Sequence, residues 1–228
     1  VQSKLMHEAI TISDNPLIVG QLVYNAITSP QMMVMLIGPH PLMGGSMDNN
    51  IIKQLTDVLA DTGYLAMRFN YGPMDSKDLA ANMAQFWQTG QAPCDPSLIQ
   101  DARWARDWMM DQFKLPIVIL GYSFGAHVGM SLFEPPVCGL VMIAPTVAHH
   151  DIVQKANYDK PKIVIYTNND FASPQLSTES WFADLAEPKK KLFIADADHF
   201  FKQQQEQINQ AVKTFLLTIP HQRQEAAL

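Results

Sequence analysis

Short apolar runs recur along the chain, and most are followed by a stretch whose apolar positions repeat at helical spacing. Leu17 to Ala26 and the segment before it read as an antiparallel hairpin. Beyond the hairpin the pattern predicts a strand over Met32 to Ile37, a helix over Asn50 to Asp61 and a strand over Tyr64 to Phe69. Helices follow over Ser76 to Gln88 and Ser97 to Phe113, parted by the breaker-rich Gly90-Gln91-Ala92-Pro93-Cys94-Asp95-Pro96. Ile117 to Leu120 is a buried strand, followed by a tight turn and a helix of small residues. Strands over Gly139 to Ala144, Lys162 to Thr167 and Leu192 to Ala195, and helices over Leu176 to Ala186 and Lys202 to Leu217, complete the series. Lys189-Lys190-Lys191 reads as a solvated turn before the last strand, and Gln203-Gln204-Gln205 as a solvated helix face. Strands that are apolar throughout, each followed by a helix, imply a mainly parallel sheet with helices on both faces.

Length and charge narrow the picture. A chain of 228 residues with no break in composition fits one α/β domain over residues 1–228. The net charge is −6 and the basic residues are scattered, which speaks against a nucleic-acid partner. No apolar stretch has the length of a membrane span, and the first eight residues lack the apolar core of a signal peptide. Two cysteines, Cys94 and Cys138, make no disulfide framework and point to a reducing cytoplasm.

The chemistry gathers around Gly121-Tyr122-Ser123-Phe124-Gly125. A strand before this pentapeptide and a small-residue helix after it make the turn very tight, so the serine hydroxyl projects away from the backbone. Serine is a weak nucleophile until a base takes its proton. Working residues of an open parallel sheet collect where strands end, and two strand ends supply partners. Thr167-Asn168-Asn169-Asp170 follows one strand and Asp196-Ala197-Asp198-His199 another. His199 is the expected base and Asp170 the acid that orients it; Asp198 reads as a helix cap before Phe200. An oxyanion hole needs backbone donors. Phe124 N–H is one, and the loop from Gly38 to Asn50 offers the other. Pro39 and Pro41 cannot donate, which leaves the Leu42 N–H as the best remaining candidate.

Residues 38–50, Arg68-Phe69-Asn70, Gly121 to Ala126, Ile143-Ala144-Pro145 and Ala197 to Phe201 together resemble a group of small serine hydrolases. That group, within the α/β-hydrolase superfamily, carries an HPHP-L-x-GG-x-MDN oxyanion loop. The resemblance runs from about residue 30 to 215. It implies an α/β-hydrolase fold with little or no cap, no cofactor, and Ser123, Asp170 and His199 as the triad. Two departures lie around the pocket: Gly38-Pro39-His40 replaces a His-Pro-His start, and Tyr71 to Ser76 replaces an Arg-Gly-x-G-x-S run.

The connection from Pro145 to Pro161, about 17 residues, has room for a short helix only, so an open or thinly covered site is expected. His40, Met43, Tyr71, Met74 and Tyr122 are the candidate pocket residues, with Leu42 and Phe124 beside them. His149-His150-Asp151 lacks the H-x-x-x-H spacing of a metal site and reads as a helix cap or pocket wall; His127 reads as a hydrogen-bonded packing residue. No G-x-G-x-x-G follows any strand, which disfavours nucleotide binding. The leading expectation is hydrolysis of small carboxylic esters through an acyl-enzyme on Ser123. Behind it stand the same machinery acting on thioesters, on amides or in acyl transfer, and then a non-catalytic binding protein on this fold.

Overall fold

Two adjoining strands without one exposed residue, β3 (Met33–Ile37) and β4 (Leu65–Phe69), mark the middle of the fold. Around them the computed structural model describes residues 4–74, 76–150 and 158–220. The remaining strands are β1 (Leu5–Asp14), β2 (Leu17–Asn25), β5 (Ile117–Tyr122), β6 (Val137–Ile143), β7 (Lys162–Asn169) and β8 (Lys189–Asp198). The helices are α1 (Asn50–Asp61), α2 (Ser76–Thr89), α3 (Asp95–Phe113), α4 (Phe124–Ser131), α5 (Gln175–Asp184) and α6 (Gln205–Leu216).

The described residues build an eight-stranded sheet in the order β1-β2-β4-β3-β5-β6-β7-β8. β1 and β2 pair antiparallel, as does β2 with β4, and every pairing from β4 to β8 is parallel. Successive side chains alternate between the faces, so Met33, Met35 and Ile37 enter one core while Met32, Val34 and Leu36 enter the other. The first core is closed by Leu98, Ala102 and Met109 of α3 and by α4; the second by Ile52, Leu55 and Leu59 of α1 and Val212 and Phe215 of α6. Among the described residues no helix is long and apolar enough to cross a membrane.

Three expectations change. Lys189 to Lys191 are not a turn but the first residues of β8, the edge strand. Charged side chains suit an exposed edge, where they discourage pairing with another chain. Lys189 Nζ also meets the carbonyls of Phe182, Ala183 and Leu185 at 3.0, 2.7 and 2.7 Å, satisfying the open end of α5. Second, α3 begins at Asp95, two residues early, because Pro96 is tolerated in a first helical turn. Third, Asp198 ends β8 and accepts the N–H groups of Phe200 and Lys202, while α6 starts only at Gln205. It therefore caps a turn rather than a helix. Both cysteines are free thiols.

Candidate active site

Ser123 stands between β5 and α4 at φ 58°, ψ −122°, a conformation non-glycine residues seldom hold. It is fixed there by its own N–H, which donates to Ile143 O on β6 at 2.8 Å. The turn can be this tight because Gly125 lacks a side chain: a Cβ there would lie 2.1 Å from Ile37 O. Ser123 takes the N-cap position of α4, yet its hydroxyl makes no capping bond. Instead Oγ lies 3.0 Å from His199 Nε2.

His199 follows β8, and Asp170 follows β7. Both carboxylate oxygens of Asp170 are 2.8 Å from His199 Nδ1. Asp170 Oδ1 also accepts the N–H groups of Ala172 and Ser173 at 2.8 and 3.0 Å, so the buried carboxylate is fully partnered. The imidazole is held from the other side too. Tyr122 stacks on it at 5.5 Å between ring centroids, and the Tyr122 hydroxyl donates to His199 O at 2.9 Å. Ser123, Asp170 and His199, expected to meet, form one hydrogen-bonded line at the ends of three strands.

The loop after β3 is braced from β4. Arg68 donates to Met47 O and Asp48 Oδ1 at 2.6 and 2.8 Å, and Asn70 Oδ1 accepts Met47 N–H at 2.8 Å. Within the loop, His40 O accepts the N–H groups of Met43 and Gly45. A Cβ on Gly45 would lie 2.2 Å from Pro39 O, so the return requires glycine. Leu42 N–H, expected to face the oxyanion, donates instead to His40 Nδ1 at 3.0 Å. Its donor is spent within the loop. Among the described residues, nothing accepts the N–H of His40 itself.

Ser123 opens into a cavity of about 420 Å³ whose apolar wall includes Met43, Phe86, Trp87, Tyr122, Phe171 and Phe200. His40, Thr146, His149 and His150 line its polar side. Of the expected pocket residues, His40, Met43 and Tyr122 are present and Tyr71 and Met74 are not. Tyr71 packs edge-on to Phe69 at 5.5 Å and lies 6.2 Å from Phe124; Met74 lines a separate cavity with Pro16 and Asp101. Phe86, Trp87, Phe171 and Phe200 were not anticipated as wall residues. Phe171 and Phe200 adjoin Asp170 and His199 in sequence, which is the available signal; α2, which brings Phe86 and Trp87, carries none. His149 and His150 are pocket wall, as expected, and Asp151 lies outside the described residues.

A second polar cluster lies beside the cavity. His40 Nε2 is 2.9 Å from Asp95 Oδ1, and Cys94 stands close enough for the three to resemble a metal site. The protons argue otherwise. Because His40 Nδ1 accepts from Leu42, the ring proton is on Nε2, which donates to Asp95 and has no lone pair for a cation. Burial, with Asp95 adding to it, pushes the Cys94 thiol up to about 11, which keeps it protonated. His127 packs at 4.5 Å from the His150 ring, but its Nδ1 is buried with no hydrogen-bond partner among the described residues, unlike the bonded histidine expected. Burial, reinforced by His150, lowers its pKa to about 4.

No family model matches the chain. An uncharacterized protein of Rickettsia prowazekii (strain Madrid E) is 26% identical over 209 residues, covering 86% of this chain and 83% of that protein. Among solved structures, an α/β serine hydrolase homologue from Coxiella burnetii superposes with a TM-score of 0.76 at 18% identity, over 95% of this chain and 99% of that one. An α/β serine hydrolase without a lid from Xanthomonas campestris does so with a TM-score of 0.74 at 19% identity, over 97% of each chain. Likeness at this level carries architecture. The chain has the α/β-hydrolase fold, with a mainly parallel sheet, helices on both faces and, among the described residues, little or no cap.

Proposed function

We propose that the protein is a serine hydrolase that cleaves small carboxylic esters through an acyl-enzyme on Ser123. The observation that supports this most is the orientation of the Ser123 hydroxyl. A serine at a helix N-terminus ordinarily caps it, and this one points to an imidazole that a buried carboxylate holds. The α/β serine hydrolase homologue of Coxiella burnetii and the α/β serine hydrolase without a lid of Xanthomonas campestris share the fold, which supports the reading.

Ser123 Oγ attacks the ester carbonyl as its proton passes to His199 Nε2, and the carbonyl electrons move onto oxygen. Asp170 keeps the imidazole proton on Nδ1 and stabilises the imidazolium. The oxyanion is met by Phe124 N–H, which has no carbonyl partner within α4, and, in place of Leu42, by the N–H of His40, which has no acceptor among the described residues. His199 returns its proton to the departing alkoxide. Water then attacks the acyl-enzyme as His199 takes its proton, and His199 returns that proton to Ser123 Oγ as the adduct collapses to the acid and the free serine. No step calls for a cofactor. The apolar cavity wall suits the acyl group of such an ester.

The test is fluorophosphonate labelling read by intact mass, on the wild type and on Ser123→Ala. One adduct on the wild type and none on the variant is expected. Folded wild type that takes no adduct would refute the reading.

A further inference from the structure

We propose that Asp95 is a positioning residue for this reaction: through His40 on one carboxylate oxygen and His150 on the other, it holds in place the two loops that wall the cavity beside Ser123. The proposal rests on the serine-hydrolase reading and adds a residue that the triad does not contain.

Proton counting gives the direction of the first link. His40 Nδ1 accepts the Leu42 N–H at 3.0 Å, so the ring proton sits on Nε2 and is donated to Asp95 Oδ1 at 2.9 Å. Backbone amide, imidazole and carboxylate form one continuous line from the loop after β3 to the first residue of α3. It is buried throughout, with His40 3% and Asp95 8% exposed. The second carboxylate oxygen accepts Ala92 N–H at 3.1 Å and faces His150 Nε2 at 3.5 Å, an electrostatic contact rather than a hydrogen bond. His150 Nδ1 is 2.9 Å from Thr146 Oγ1, which ties the loop after β6 to the same carboxylate. His150 Nε2 has no hydrogen-bond partner among the described residues, so Asp95 is the charge that it faces.

Phe124 lies among these groups. Its ring is 4.5 Å from that of His40 and 5.3 Å from that of His150. The residue proposed to give one oxyanion donor is therefore packed against the ring of the residue proposed to give the other. Asp95 can hold this arrangement because it is ionised. Burial alone would raise its pKa, but the nearby His150 ring and the hydrogen bonds from His40 and Ala92 outweigh burial and keep the carboxyl below the usual range. The free N–H end of α3 favours the same charge. Neighbouring Cys94 and His127 are both neutral near pH 7.

Without Asp95 the His40 Nε2–H is buried and unpaired, and the ring has reason to turn away from Leu42. The loop then shifts relative to Ser123. An oxyanion contact is made in the transition state and not to the bound ester, so the loss falls on kcat while KM holds. A displacement near 1 Å costs on the order of 100-fold.

The experiment measures p-nitrophenyl acetate kinetics, fluorophosphonate labelling rate and melting temperature for wild type, Asp95→Ala, His40→Asn and the double variant. His40→Asn is the discriminating change. Its Oδ1 still accepts Leu42 N–H, as asparagine does in a turn, but the shorter side chain does not reach Asp95. Each single variant is expected to lose roughly 10- to 100-fold in kcat with KM within about twofold, the double variant losing no more than the worse single. Folded His40→Asn with wild-type kcat, or losses that multiply in the double variant, would overturn the role. If Asp95→Ala does not fold, His40→Asn decides alone. A wild type that neither labels nor turns over refutes the serine-hydrolase reading and this role together. Variants that label at the rate of an active wild type refute the role alone.

Discussion

Ser123 holds a backbone conformation that costs about 1–3 kcal/mol in a residue with a side chain, and such strain persists only where surrounding bonds over-determine it. Here the bond to Ile143 O and the close approach of Gly125 to β3 supply that constraint. Asp170 is constrained as firmly by two backbone N–H groups, so its role is testable without disturbing its position. Asp170→Asn keeps the shape but offers an amide N–H where the imidazole N–H needs an acceptor. It is expected to lower kcat about 10³- to 10⁴-fold with little change in melting temperature; a loss below about tenfold in steady-state kinetics would count against Asp170 as the orienting acid. These three residues were legible in the sequence because strand ends select them. Leu42 was a misreading with a clear cause. Elimination of prolines finds which amides are able to donate, but it does not see the His40 ring folding back onto its own loop to accept that amide. Tyr71 and Met74 failed in a related way. They follow β4 at the correct rim, yet one is packed onto Phe69 and the other faces a different cavity.

Elements were more legible than contacts, because hydrophobic periodicity reports the face a segment buries and not what it meets. α1 runs over Asn50–Asp61 as expected, and the central strands fall within about two residues of the expected bounds. The edge strand β8 is longer than its apolar residues indicate, since its lysines carry no apolar signal; the pairing of Lys189 to Lys191 with β7 shows them as strand. α2 was found as a helix, but its task was not visible. Its last turn sets Phe86 and Trp87 into the cavity wall, and Phe86 lies 4.8 Å from the His40 ring. Part of the cavity wall thus comes from the connection between β4 and α3. The expected place for a cap, between β6 and β7, includes residues 151–157, outside the described residues. Trp87 is 66% exposed, so removing it costs the fold little while an acyl chain lying against it loses apolar contact. Trp87→Ala is expected to raise KM for p-nitrophenyl octanoate about 5- to 30-fold, corresponding to about 1–2 kcal/mol. It should leave the acetate ester unchanged. Equal changes for both esters would remove Trp87 from the acyl path.

At the scale of the whole molecule, acid stability is where a buried histidine has its largest effect. His127 lies within α4, beside the His150 ring, and its folded-state pKa falls from 6.5 to about 4, by burial first and by His150 second. Between those values the unfolded chain binds a proton that the folded chain refuses. Unfolding therefore takes up a proton, and stability rises with pH across that window. The contribution is complete above about pH 6.5 and is lost as pH falls toward 4. One proton at about 1.4 kcal/mol per pH unit makes this about 2 kcal/mol over the window, allowing for a ring that is not wholly buried. Asp95 adds slope of the same sign only at the acid end of the window, where the unfolded carboxyl begins to bind a proton that the folded one, with its lowered pKa, refuses. Urea midpoints taken from pH 4.5 to 7 on wild type and His127→Gln separate this group from every other titrating residue. The wild type should lose stability more steeply on acidification, so the gap between the two proteins changes by about 2 kcal/mol across the series. Parallel profiles, with the gap constant at every pH, would show that His127 titrates alike in both states and that its burial is not what limits acid stability.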